Sequence, residues 1–151
     1  MKNLSVWLFI ALFLALMSGC KNDGLIGVSG QVICDGKPLE SGAIHFTLVD
    51  QADQIFSSKI IDGKYDLRAR EGKMIVRIYG TRSEVHPNPP PRPAFQKSDG
   101  PVMREVLFLP PKYNMESTLT AEVSSSNRKF DFTVEDDGSV APSLYDVGPQ
   151  R

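Results

Sequence analysis

Two residues, Asp62 and Gly63, separate an alternating run over 56–61 from another over 64–68. An Asp-Gly pair in that setting is among the strongest short-range hairpin signals. A type I′ turn needs positive φ at both central positions, and these residue types tolerate it. The two runs are therefore read as antiparallel strands, with Tyr65 and Leu67 together on one face. The same pair recurs as Asp35-Gly36, closing a run over 28–34 ahead of Lys37 and Pro38, whose ring removes a ladder donor. Over 43–49, Ile44, Phe46 and Leu48 face one side while His45 and Thr47 face the other. Further strands are expected at 73–79, with Met74, Val76 and Ile78 inward and Gly80 as its end, then at 102–109, 119–123 and 129–134. No sustained helical period occurs outside the N-terminal run. The pattern predicts an all-β domain, a single antiparallel β-sandwich of about seven strands. Its expected core comprises Val32, Ile44, Phe46, Tyr65, Leu67, Val76, Ile78, Leu119, Phe130 and Phe132.

Residues 82–101 interrupt this rhythm. The prolines at 87, 89, 90, 91 and 93 lack amide donors and favour an extended polyproline conformation, so the stretch is expected to be a loop outside the core. Its length exceeds that of ordinary connections and leaves open whether it is functional or merely exposed. After Val134 the chain turns acidic and then rich in Pro, Ser and Gly, which predicts a flexible tail over 135–151.

The N-terminus carries an address. Lys2 precedes an apolar run from Leu4 to Met17, followed by Ser18, Gly19 and Cys20. That order is the order of a secretory signal peptide, and the run is shorter than the roughly 20 residues a bilayer span needs. The small pair before the cysteine resembles a bacterial lipobox, with Met17 where Leu, Val or Ile is usual. The resemblance implies a signal peptide over 1–19, lipidation of Cys20 and a short lipidated spacer over 20–26. Lys21 in the second mature position leans towards the outer membrane under the sorting rule known for enteric lipoproteins. Removing 19 residues from 151 leaves 132, enough for one core of ordinary size. Cleavage would take the formal charge from −1 to −2, since Lys2 is the only charged residue lost. With Lys and Arg scattered, nothing argues for nucleic acid as a partner. Lipidation would leave Cys34 single, a thiol expected to be buried on its strand and unreactive.

Several stretches together resemble bacterial lipoproteins with a carboxypeptidase-regulatory-like domain, which has the transthyretin (prealbumin) type of sandwich. They are Val28-Ser29-Gly30-Gln31-Val32, Asp35-Gly36-Lys37-Pro38-Leu39, Ala43-Ile44-His45-Phe46 and Asp62-Gly63-Lys64-Tyr65-Asp66-Leu67. Later come Leu109-Pro110-Pro111-Lys112-Tyr113-Asn114, Leu119-Thr120-Ala121-Glu122-Val123 and Phe130-Asp131-Phe132. The resemblance covers about 28–134, with the domain placed at 27–134. It departs at 69–74, where the family usually has Pro-Gly and then an aromatic. It implies a non-catalytic module with no site to carry over.

Catalytic chemistry finds little purchase. His45 and His86 stand in no ligand spacing, and His45 is expected on a solvated face. The transthyretin fold has an enzyme relative, the hydroxyisourate hydrolases, whose terminal Tyr-Arg-Gly-Ser motif is absent at 145–151. Internal Lys–Asn isopeptide bonds would need a lysine in 28–34 and an asparagine in 129–134, and neither exists. Asp35 and Asp62 are explained by their turns, and Asp136 and Asp137 by the tail, so no calcium or other metal site is expected. No cofactor is implied. The expected function is an envelope-anchored lipoprotein held to the membrane through lipid on Cys20. It would carry a binding or structural module for an envelope protein or glycan. The alternative is a secreted accessory enzyme or inhibitor-like module, which activity abolished by His45→Ala would favour.

Overall fold

Both Asp-Gly pairs turn as their chemistry requires. Asp35 and Gly36 have φ of 50° and 77°, and Asp62 and Gly63 have φ of 50° and 74°. The computed structural model describes residues 23–91 and 100–138. The expected signal peptide and Cys20 lie outside these residues. Nine strands join one sheet. They are β1 (Ile26–Cys34), β2 (Lys37–Pro38), β3 (Ser41–Leu48), β4 (Ile55–Ile61), β5 (Lys64–Ala69), β6 (Gly72–Val85), β7 (Met103–Leu107), β8 (Thr120–Val123) and β9 (Phe132–Val134). A 3-10 turn, Pro111–Tyr113, links β7 to β8.

The sheet runs β2-β1-β5-β4-β3-β6-β7, with β8 added to β6 and β9 to β1. This corrects the expectation of a two-layer sandwich: the all-β class stands, but the strands form one curled sheet, a half-barrel. The cause lies in β6. Its 14 residues carry β3 along one side and, on the other, β8 at Gly72–Ile75 and β7 at Thr81–Val85. The strands β7 and β8, which a second layer would need, therefore hydrogen-bond into the first. From β8 the chain turns at Ser124–Asn127 and crosses to β1, where β9 pairs in parallel, Val32 opposite Phe132. One end of the sheet is thus tied to the other over the core.

Phe46 sits at the centre, fully buried, with the rings of Tyr65, Phe130 and Phe132 at 6.0, 6.3 and 6.3 Å. Val32, Ile44, Tyr65, Leu67, Val76 and Ile78 are buried as expected. Leu119, Phe130 and Phe132 pack against the core but remain partly exposed, because they lie on the crossing segment and its approach rather than inside the curl. The core also takes in Val28, Leu39, Leu48, Ile60, Met74, Leu109, Val123 and Val134. Crossing is possible because β1 has Gly30 where the chain passes. A Cβ there would fall onto the Phe130 carbonyl, which also accepts the Tyr65 hydroxyl at 2.7 Å. Buried Asn114 holds the link from β7, its Nδ2 donating to the carbonyls of Leu109 and Pro110 at 3.1 and 3.2 Å.

The segment expected as a loop over 82–101 begins later. Gly80 does not end β6, which continues to Val85 opposite Met103. The Val102 carbonyl accepts the His86 amide at 2.7 Å, and only then does the Pro-rich turn start. Arg82, Ser83 and Glu84 offer no apolar alternation. Their ribbon is instead laced by Arg82–Glu84 at 2.8 Å and Arg104–Glu84 at 4.0 Å. The expected strand at 129–134 is regular only over Phe132–Val134, with an isolated bridge between Ser29 and Lys129.

Candidate functional site

Alternation sends every second residue of β3, β4 and β6 away from the core, and the register lines them up. Ala43 stands between Lys59 and Tyr79, and His45 between Ser57 and Arg77. Further along, Ser41 faces Ile61, and Thr81 faces Leu107. The small residues Gly42 and Ala43 leave a hollow of about 410 Å³, open to solvent, walled by Ser41, His45, Lys59, Tyr79, Thr81, Glu105 and Leu107. The Thr81 hydroxyl donates to Ser41 Oγ at 3.2 Å across the upper rim.

His45 was expected on a solvated face; it is half-buried, its ring 4.9 Å from that of Tyr79 and tilted by 49°. Burial, and then the Arg77 guanidinium opposite, lowers its pKa from the ordinary 6.5, so the imidazole is neutral at pH 7. Arg77 is itself fastened, donating from Nη1 to Thr47 Oγ1 at 3.1 Å. Among the described residues no carboxylate hydrogen-bonds the imidazole, so nothing fixes its tautomer as a general base would need. Lys59 and Glu105 place opposite charges on opposite walls. The arrangement can hold polar groups by hydrogen bonds and present one aromatic face.

The other singled-out residues do not join it. Cys34 is a free thiol at the end of β1 and half-buried rather than enclosed. Desolvation, the neighbouring Asp35 charge and a 3.6 Å contact from Sγ to Asp35 Oδ2 push it up to about 11. That is the reverse of an activated nucleophile. His86 is occupied in closing its loop, its Nδ1 accepting the Asn88 amide at 3.2 Å. Asp35 and Asp62 are turn residues. Asp136 pairs with Arg82 at 3.4 Å and Asp137 with Lys112 at 3.2 Å, which ties down the start of the expected tail. Among the described residues no group of three or more His, Cys, Asp or Glu side chains is placed to hold a metal.

Among the hollow's residues, the sequence pointed to chemistry only at His45. The signal it passed over is parity: Ser41, Ala43, His45, Lys59, Tyr79 and Thr81 all share the face opposite the expected core. The Glu105 and Leu107 walls could not be found without knowing that β7 pairs with β6.

No family model matches the chain. No curated protein matches it either. Among solved structures it aligns with the crystal structure of a 9R-lipoxygenase from Cyanothece PCC8801, at 11% identity and a TM-score of 0.34. The alignment covers 85% of this chain and 20% of that one, so the chain spans about a fifth of the lipoxygenase. A likeness at this level carries no argument about fold or activity.

Proposed function

We propose that the chain is an envelope-anchored lipoprotein, acylated at Cys20, whose β domain is a non-catalytic binding module resembling the carboxypeptidase-regulatory-like kind in sequence, built here as one curled sheet. The observation that carries the reading is the order from Lys2 through the apolar run to Ser18-Gly19-Cys20. The module part is supported by the two positive-φ Asp-Gly turns at the positions that carry the resemblance. It is supported also by the chemistry of the two best nucleophile and base candidates. The Cys34 thiol is pushed up to about 11, and His45 is held neutral beside Tyr79 and Arg77, with no carboxylate among the described residues to orient it. Under this reading the domain stands on the periplasmic or surface face of a membrane, with the outer membrane favoured by Lys21, and its partner is an envelope protein or glycan.

Metabolic labelling with a fatty acid, followed by detergent phase partitioning, tests the anchor. The wild-type chain is expected to take up label and enter the detergent phase. The Cys20→Ala chain is expected to remain an unlabelled precursor. Several acyl chains, at about 0.8 kcal/mol per buried methylene, make such attachment effectively permanent, whereas one chain binds only marginally. A wild-type chain that takes up no label overturns the proposal.

A further inference from the structure

The sheet ends at β7, and the phase of its hydrogen bonds shows what that edge presents. The Val102 carbonyl accepts from the His86 amide at 2.7 Å, and the Phe108 amide donates to the Gly80 carbonyl at 3.1 Å. In an antiparallel pair the residues that exchange both bonds alternate with those that turn both groups away. With Arg104 opposite Glu84 and Val106 opposite Arg82, the even-numbered residues of β7 bond to β6. Met103, Glu105 and Leu107 therefore direct their N–H and C=O groups outward, and among the described residues nothing pairs with them. Met103 is 51% exposed. The free side of β9 at the other end of the sheet offers a strand of only 3 residues against 5 in β7.

We infer that the β7 edge accepts an extended polypeptide segment as an added antiparallel strand. The guest would carry a basic residue opposite Glu105 and apolar residues opposite Met103 and Leu107. Backbone bonding would supply the affinity and alternate side chains the choice of guest. The pleat places residues opposite Met103, Glu105 and Leu107 on the face that holds the hollow, where Glu105 and Leu107 form one wall. A basic guest residue then meets the Glu105 carboxylate. Lys59 also lines the hollow, but its strand β4 stands three strand spacings away, about 14 Å between backbones, so Glu105 is the charge nearest the guest strand. A second copy of this chain is a poor guest. The antiparallel register that uses all three outward residues sets Glu105 directly against its own copy, and like charges in that position repel. The edge is thus guarded against itself yet open to a basic strand. This inference rests on the binding-module reading and specifies the partner.

The probe is an acetylated, amidated peptide, Thr-Val-Thr-Lys-Thr-Val-Thr, compared with the same peptide bearing Glu in place of Lys. Each is added to the full chain in detergent micelles, and amide hydrogen exchange is read by NMR. The Lys peptide is expected to protect the amides of Met103, Glu105 and Leu107 while leaving those of Arg104 and Val106 as they were. The Glu peptide should bind about threefold more weakly, the scale of one cross-strand charge pair. Glu105→Lys should reverse that preference. Glu105→Pro removes an outward amide that bonds to nothing in β6, so exchange at Arg82 and Glu84 should persist while peptide protection is lost. Absence of protection by either peptide overturns the inference, as does an unchanged preference in Glu105→Lys. Concentration-dependent protection of the same three amides without peptide would show pairing between copies and overturn it too. A chain that binds the Lys peptide but takes up no fatty acid would sink the anchor alone, and the converse would sink the edge alone.

Discussion

At the scale of single residues, the Phe130 carbonyl is the point on which the crossing segment rests. Gly30 leaves room for it and the Tyr65 hydroxyl donates to it at 2.7 Å. Tyr65→Phe should cost about 1–1.5 kcal/mol, since the carbonyl loses a partner in a partly buried place. Gly30→Ala should cost about 1–3 kcal/mol by overpacking, because backbone gives way less readily than a side-chain tip. Equilibrium urea denaturation measures both, and a Gly30→Ala protein as stable as wild type would show that the segment does not pass so closely. Two groups make stability depend on pH. His45 has a folded pKa below its ordinary 6.5. Its contribution is present above that value and is lost as pH falls through the lower folded one. Cys34 has a folded pKa raised from 9.0 to about 11. Its contribution is complete below pH 9 and declines as pH rises through 11. The urea midpoint should therefore sag at both ends, and His45→Gln should flatten the acid limb. Alkylation of the folded protein by iodoacetamide should be slow at neutral pH and rise towards pH 11. Rapid alkylation at neutral pH would contradict the environment found for Cys34.

At the scale of elements, what was legible in the sequence was what local chemistry decides. Asp62-Gly63 and Asp35-Gly36 announced their turns because few other residues accept positive φ in succession. Ile44, Phe46, Val76 and Ile78 announced their face because a one-residue slip would bury Arg77. The upper half of β6 was hidden, since Arg82, Ser83 and Glu84 are held by charge pairs within β6 and across to β7 and by backbone bonding rather than by an apolar stripe. Val85 and Met103 pair at its tip while remaining 60% and 51% exposed, so burial could not mark them. The hollow was hidden for a related reason: its walls come from four strands, and only pairing brings them together. Parallel β9 was beyond reach because periodicity reports which way a side chain faces and not which neighbour its strand takes. The consequence for stability is graded. Phe46→Ala, at the fully buried centre, should cost about 3–5 kcal/mol. Phe132→Ala, on the partly exposed β9, should cost about 2 kcal/mol, because less apolar surface is removed from water there. Equal costs in urea denaturation would place the crossing segment deeper than its position over the open side of the curl.

At the scale of the whole molecule, the two ends of the sheet differ in what they offer. Ile26 begins β1 opposite Ala69, at the end where β5 passes into β6. The β6–β7 ribbon leaves from the other end, and the 14 residues of β6 span roughly 40 Å between the two. Residues 20–26 reach at most about 20 Å when fully extended. Lipid on Cys20 would therefore hold the lower end of the sheet near the bilayer and present the open β7 edge and the hollow away from it. Under the proposed reading, anchor and binding surface would be separated by about the length of one strand. Every part of that arrangement depends on Cys20 being the mature, acylated N-terminus. The direct test is the intact mass of the protein extracted from membranes. The account predicts a chain that begins at Cys20 and is heavier than residues 20–151 by a diacylglyceryl group. A mass that includes residues 1–19, or an unmodified chain with Cys20 free, would contradict it.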